Sequence, residues 1–99
     1  MPVPKPTELT EEQVQLIAKA LADSRRYEII KRISQCKEAM ACETVRGCLD
    51  ISAPTLSHHM KELETAGLIR SEKAGKFVNY FAETRVLRAY LDRLKADLG

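Results

Sequence analysis

Ninety-nine residues, of which 44% are hydrophobic and 30% charged, suit one small globular domain and exclude a fibrous or wholly disordered chain. A net charge of +2 does not by itself indicate a nucleic-acid partner, and three cysteines do not predict a disulfide framework. No apolar run approaches the ~20 residues of a membrane span, and the chain start lacks a signal-peptide core. We therefore expect a cytoplasmic protein with no membrane partner.

The beginning of the chain separates into an arm and the start of a helix. Prolines at positions 2, 4 and 6 predict an extended, flexible arm over residues 1–9, followed by one domain over residues 10–99. Thr10 and Gln13 have the spacing of a capping box, and apolar residues then recur at helical spacing. We expect the first helix over residues 11–22.

Two further helices are expected before residue 50. Asp23 or Ser24 can cap the second helix, because both side chains accept hydrogen bonds from the free N–H groups at a helix start. Its apolar stripe ends near Gln35. A short third helix is predicted over residues 41–49, which carry apolar residues four positions apart.

The fourth predicted helix has clear start and stop signals. Ser52 is an N-cap residue, and Pro54 fits the first turn, where its missing N–H loses no helical hydrogen bond. Gly67 supplies the left-handed residue that ends the helix. At about 100° per residue, an apolar face stands opposite a free face. The apolar face carries Leu56, Met60 and Leu63, and the free face carries Pro54, His58, Lys61 and Thr65.

A hairpin and a last helix complete the chain. Two β-prone runs, residues 68–72 and 77–81, are joined by a basic tip over residues 73–76. From Thr84 onward, apolar residues recur at spacings of three and four, which predicts an amphipathic helix. This order of elements is typical of a winged helix-turn-helix domain. The predicted fold class is mainly α with a small β-hairpin, comprising five helices plus a two-stranded wing.

Three segments resemble a known family: Ala20–Arg26 (ALADSRR), Ile51–Leu63 (ISAPTLSHHMKEL) and Ala66–Ile69 (AGLI). Together they resemble the ArsR/SmtB-type winged helix-turn-helix bacterial transcriptional repressors, over roughly residues 14–96. The resemblance implies a sequence-specific repressor that binds a two-fold related operator in double-stranded DNA as a homodimer. It also implies release from DNA by a metal, a metalloid or a thiol-reactive signal.

The fourth helix and the hairpin tip have the chemistry of a DNA interface. Short polar or cationic side chains on a recognition helix can reach base edges and phosphates, and wing cations can reach the backbone or the minor groove. The predicted DNA-binding residues are Ser52, Pro54, Thr55, Ser57, His58, His59, Lys61, Arg70, Lys73 and Lys76. The competing interpretation is a solvated helix face beside a charged turn. For His59, the sequence favours a packing role or a phosphate contact as much as it favours base readout.

The cysteines are the candidates for sensing a signal. The resemblance implies a cysteine pair at the start of the third helix, but the chain has only the second of them, Cys42, and a lone thiolate makes no tight chelate. Cys36 could join Cys42, with arsenite or another thiol-binding metal ion as the candidate ligand. The alternative for both is a small buried hydrophobe. On the last helix, Asp92 and Asp97 without histidines do not make a zinc site.

Apolar surface beyond what one small domain can cover predicts a homodimer formed by the first and last helices. The predicted interface residues are Leu16, Leu87, Tyr90, Leu91, Leu94 and Leu98. No spacing of nucleophile, base and metal ligands indicates an enzyme. Two alternatives stay open: a winged-helix module that binds a protein through the same face, and a repressor without a metal site that responds to another signal.

Overall fold

The computed structural model describes residues 8–35, 40–41 and 51–99 of the chain. Its elements, in order, are α1 (Glu11–Leu21), α2 (Ser24–Gln35), β1 (Met40–Ala41), α3 (Ala53–Thr65), β2 (Ile69–Ala74), β3 (Phe77–Ala82) and α4 (Thr84–Leu98). This part of the chain is mainly helical and carries an antiparallel β-hairpin. No helix within these ranges has the length and apolar character needed to cross a membrane.

Helices α1 and α2 begin at the caps that the sequence predicts. The hydroxyl Oγ1 of Thr10 accepts a hydrogen bond from the backbone N–H of Gln13 at 3.1 Å. At the next corner, the Asp23 carboxylate oxygen Oδ1 accepts from the backbone N–H groups of Arg25 at 2.8 Å and Arg26 at 3.2 Å. Each cap satisfies N–H groups that have no partner inside the helix, which fixes where the helix starts.

Helix α3 has the two faces and both ends that the sequence predicts. Ser52 Oγ accepts from the N–H of Thr55 at 3.3 Å. Gly67, one residue beyond the C-cap Ala66, has a φ of 80°, a left-handed value that favours glycine. The predicted apolar side chains Leu56, Met60 and Leu63 are buried, and the predicted free side chains Pro54, His58, Lys61 and Thr65 are exposed.

The core lies between the first three helices and the start of the hairpin. Its buried residues include Ile17 of α1, Ile29 and Ile33 of α2, Leu56 of α3, and Leu68 just before β2. Leu9, which the sequence analysis placed in the arm, is also buried there. Its carbonyl accepts a hydrogen bond from Arg93 Nη1 of α4 at 3.1 Å, so the packed domain includes residue 9.

The sheet has one more strand than the sequence predicts. Its order is β1-β3-β2, and β1 pairs through Met40 with Tyr80 and through Ala41 with Asn79. The predicted two-stranded wing is confirmed as the hairpin of β2 and β3, and β1 adds a short third strand on its edge. The hairpin extends further than predicted, from the pair Ile69–Ala82 to the pair Ala74–Phe77. A strand of two residues is too short to leave an alternating pattern in a sequence.

Of the five predicted helices, the described part of the chain contains four. The third helix predicted over residues 41–49 falls on residues outside the described part, apart from Ala41, which lies in β1. Residue 41 is extended because its strand pairs with β3.

Candidate nucleic-acid interface

The outer face of α3 presents polar side chains to solvent. Ser57, His58 and Lys61 are exposed there, and the helix is anchored from behind by its buried apolar face. At its start, the Ser52 hydroxyl donates to Thr55 Oγ1 at 2.8 Å, so these two predicted contact residues form one local cluster beside the exposed Pro54. The early N–H groups of the helix add a partial positive charge at this end, which favours a phosphate.

His59 differs from its neighbours because it is buried, with 7% of its surface exposed. Its ring nitrogen Nδ1 lies 3.4 Å from Nη1 of Arg26 on α2. Burial is the main cause that lowers the pKa of His59, and the Arg26 charge acts in the same direction, whereas the nearby Asp23 carboxylate opposes it. The burial favours the packing alternative for this histidine, and its predicted DNA contact stays a prediction.

Asp23 is shaped by the same corner of the molecule. The hydrogen bond from the backbone N–H of Arg26 is the main cause that lowers the pKa of the Asp23 carboxyl, and a second bond from Arg25 adds to it. The carboxylate is thereby kept ionised as a cap of α2. It stands near His59, so a negative charge and two arginines at the start of α2 surround a buried imidazole of α3.

The hairpin brings three predicted cations to the wing, and they are not equivalent. Lys73 and Lys76 are exposed, Lys73 in β2 and Lys76 in the two-residue turn. Arg70 instead lies over the Phe81 ring and forms ion pairs with Glu83 at 2.8 Å and with Glu72. Its positive charge is largely balanced by these two carboxylates, so the wing presents its cationic character through the two lysines.

The predicted dimer residues do not all lie on one surface. Leu87, Tyr90, Leu91 and Leu94 of α4 line one open apolar groove of about 490 Å³, facing Tyr27 and Ile30 of α2. Leu91 and Leu98 are 62% and 81% exposed. Leu16 of α1 is partly buried against the core and lines a separate shallow depression. The structure thus gathers four of the six predicted interface residues around one groove.

Arg26 had no expected role from the sequence, although it is part of the segment ALADSRR. An arginine just after a helix cap, and close to the carbonyl groups that end the preceding helix, is a signal that could have identified it. The candidate sensing residues Cys36 and Cys42 lie outside the described residues. Within residues 8–35, 40–41 and 51–99, no three His, Cys, Asp or Glu side chains are grouped to hold a metal ion.

Comparison with known proteins identifies relatives of a large part of the chain. A family model described as a helix-turn-helix domain matches residues 21–72. The arsenical resistance operon repressor of Staphylococcus aureus is 41% identical over 63 residues, which are 64% of this chain and 59% of that protein. The chain spans about half the length of the curated relatives that it matches.

Solved structures share the fold at lower identity. The ArsR family transcriptional regulator RHA00566 superposes with a TM-score of 0.79 at 25% identity, covering 92% of each chain. The homodimeric winged helix-turn-helix DNA-binding domain Mb0332 from Mycobacterium bovis gives a TM-score of 0.69 at 26% identity, covering 87% of this chain and 80% of that one.

Proposed function

Because the chain belongs to the helix-turn-helix domain family, as a winged regulator of the ArsR type, we propose that it is a sequence-specific DNA-binding transcriptional repressor. The observation that carries this proposal is the two-faced helix α3. Leu56, Met60 and Leu63 fix its inner face, and the opposite face leaves Ser57 and His58 exposed. A helix held rigidly from behind can enter the major groove, where short polar side chains reach base edges.

The contacts divide between base readout and positioning on the phosphates. Ser57 and His58 are assigned to base edges, since they lie in the first half of the exposed face, the part of a recognition helix that contacts bases. Contacts with the phosphate backbone are assigned to residues at the start of α3, to the lysine on its outer face and to the lysines at the hairpin tip. These residues are Ser52, Pro54, Thr55, Lys61, Lys73 and Lys76.

The repressor is proposed to act as a homodimer on two-fold related half-sites. Leu91 and Leu98 leave large apolar surfaces exposed on α4, and the similar domain Mb0332 is described as homodimeric. A two-fold dimer presents two copies of α3 to the same side of a duplex, about one helical turn apart. Because a regulator of transcription must reach the DNA, we propose that the protein is cytoplasmic. We also propose that it binds DNA and does not act as an enzyme.

The proposed releasing signal is arsenite or another thiol-binding metal ion. The support is the name of a relative, an arsenical resistance operon repressor, together with two cysteines close in sequence, Cys36 and Cys42. Soft thiolate ligands suit such ions. Duplex binding measured with and without arsenite, zinc or a mild oxidant, for the parent and for Cys36→Ser and Cys42→Ser, tests this assignment. Equal response of the serine variants would remove these cysteines from the sensing site.

Selection from a random-sequence duplex library tests the function itself. The purified full chain is expected to enrich a two-fold related sequence, and its affinity for that duplex should fall steeply as salt rises, because phosphate contacts release counterions. Replacing Lys73 or Lys76 by alanine should weaken this salt dependence. Lys95→Ala is the matched control, because it removes an exposed cation from α4 and should leave the salt dependence unchanged. If no duplex is enriched and no salt-dependent complex forms, the chain is a protein-interaction module instead.

A further inference from the structure

Three elements meet at the guanidinium group of Arg26, in the first turn of α2. Its Nε donates to the carbonyl of Ala20 at 2.9 Å, and Nη2 donates to the carbonyl of Lys19 at 3.4 Å. Both carbonyls belong to the last turn of α1. The third nitrogen, Nη1, lies 3.4 Å from Nδ1 of His59 in the middle of α3. One side chain therefore connects the end of α1, the start of α2 and the recognition helix.

The chemistry of the two groups fixes the state of the histidine in this contact. A guanidinium carries five N–H donors and no acceptor, so Nδ1 of His59 must be the acceptor. That requires a neutral imidazole with its proton on Nε2. A protonated imidazole has donors on both nitrogens, and its positive charge would face the positive charge of Arg26. Protonation thus converts this contact from attraction into repulsion.

The surroundings keep the imidazole neutral. Burial lowers the pKa of His59 most, and the positive charges of Arg26, His58 and Arg25 lower it further. The Asp23 carboxylate is the group that raises it. These charged and titratable groups come from the N-cap and first turn of α2 and from α3 itself, and burial together with the cations outweighs Asp23, so the surroundings oppose a second proton.

We propose that Arg26 is a positioning residue for DNA recognition, and that its contact with neutral His59 holds α3 in the rotation that aims Ser57 and His58 at the bases. Protonation of His59 at mildly acidic pH then releases this hold and weakens sequence-specific binding. The proposal rests on the proposed DNA-binding function. Because His59 neighbours His58 in the helix, a small rotation of α3 that relieves the repulsion moves the exposed side chains as well.

The test compares three variants on two duplexes. The ratio of affinities for the selected duplex and for a random duplex is measured from about pH 7.5 to about pH 5, a range that extends well below the ordinary histidine pKa of about 6.5 because the pKa of His59 is lowered. A change in net charge alters the affinity for both duplexes by a similar factor, so it does not change their ratio. In the parent it is expected to fall by about fivefold or more, the lower end of common coupling between sites. His59→Gln keeps a neutral acceptor for Arg26, so its ratio should fall clearly less than that of the parent.

Two arginine variants complete the comparison. Arg26→Lys removes the fork of donors and should lower the ratio at about pH 7.5 by about fivefold or more. Arg32→Lys is the matched control, because Arg32 lies in the same helix and pairs with Glu28 at 3.2 Å; its ratio should equal that of the parent. Equal pH profiles for the parent and His59→Gln, or equal ratios for the two arginine variants, would overturn the proposal.

A measurement without DNA separates this proposal from the proposed function. In the ¹⁵N spectrum of the free, full chain at about pH 7.5, His59 should be neutral and carry its proton on Nε2, as the contact with Arg26 requires. A proton on Nδ1 at that pH would overturn the inference even if DNA binds. If selection enriches no duplex, the proposed function fails, and with it the DNA-positioning role, whatever the tautomer.

Discussion

Arg70 and Phe81 are register partners across the hairpin, and the guanidinium carbon of Arg70 lies 4.2 Å from the centre of the Phe81 ring. The same arginine forms an ion pair with Glu83, the residue that precedes α4. Arg70 therefore ties the base of the wing to the start of the last helix. Of the cations that the sequence assigns to the wing, it has the most contacts inside the protein and is least available to a phosphate.

The first prediction separates this arginine from the lysines at the wing tip. Arg70→Ala should lower the free energy of unfolding by about 1 kcal/mol, because it removes a partly exposed cation–π contact and surface ion pairs. The salt dependence of DNA binding should hardly change. Lys73→Ala and Lys76→Ala should each leave stability nearly unchanged and reduce the salt slope by about one unit. Urea unfolding and salt-titrated gel shifts measure both quantities. The opposite pattern would make Arg70 a DNA contact.

The second prediction concerns the cap of the recognition helix. Ser52→Ala removes the oxygen that accepts from the N–H of Thr55, so the free energy of unfolding should fall by about 1 kcal/mol. Ser57→Ala is the matched control within α3, since its hydroxyl is exposed beyond the first turn. It should keep stability but lower affinity for the selected duplex by about 1–3 kcal/mol and leave random DNA unaffected. Comparable stability losses for both serines would contradict the assignment of Ser52 as the cap.

The third prediction concerns the glycine that ends α3. Gly67 has a φ of 80°, and an added Cβ would lie 3.3 Å from Nε2 of Gln13. That nitrogen is the end of a flexible side chain and can move, so the backbone conformation sets most of the cost. Gly67→Ala should therefore lower the free energy of unfolding by about 1–2 kcal/mol. Gly67→Asn should lose less, because asparagine tolerates the left-handed region.

Gly75 provides the control for this argument. Its φ is 66°, and an added Cβ would meet nothing within 4 Å. Gly75→Ala should then cost about the same 1–2 kcal/mol as Gly67→Ala, through the backbone alone. If Gly67→Ala cost much more, and the double variant with Gln13→Ala restored the difference, steric contact rather than backbone conformation would control this position.

The parts of the fold that the sequence predicts are those whose signals are local. The caps at Thr10 and Ser52 act on N–H groups three residues away, and Gly67 acts on the turn that it ends. The two faces of α3 follow from helical periodicity alone. Signals of this kind also identified the hairpin and the exposed part of the candidate DNA interface, because turn residues and charge are visible in a few consecutive positions.

The contacts that the sequence does not reveal join distant positions. Arg26 and His59 are 33 residues apart, and Arg93 reaches the carbonyl of Leu9 across 84. The partner of Arg70 is likewise fixed by strand register, which places Phe81 opposite it. Composition and periodicity carry no record of such pairings, since they depend on how the elements pack. The exposed face of α3 was therefore predictable, whereas the support behind it was not.

The fourth prediction is a pH dependence of stability. His59 has a lowered pKa in the folded chain, so as pH falls the unfolded chain takes up this proton first, beginning near its ordinary pKa of about 6.5. The free energy of unfolding should therefore be highest above that pH and decrease as pH falls towards the folded pKa of His59. Urea unfolding at several pH values measures it. In His59→Gln, the decrease in the free energy of unfolding that begins near pH 6.5 should be absent. Both proteins should lose stability in stronger acid, where Asp23 is protonated.

The fifth prediction tests the homodimer through an exposed leucine. Leu91 is 62% exposed and lines the apolar groove on α4, so Leu91→Glu should leave the fold intact while placing a charge in the proposed interface. Burying an unpaired carboxylate is costly, so sedimentation at micromolar concentration should show a dimer for the parent and a monomer for the variant. Phe77→Glu, at a residue 51% exposed on the wing, is the control and should remain a dimer.

The loss of the dimer should also appear in DNA binding. With two copies of α3 joined, the second half-site is bound at an effective concentration in the millimolar range, so separating the copies should weaken binding to the selected duplex by about 10²-fold or more. Binding to a duplex with a single half-site should change little, because each α3 is intact. A parent chain that sediments as a monomer, or a Leu91→Glu variant that keeps both the dimer and full affinity, would remove α4 from the interface and assign the groove beside α2 another role.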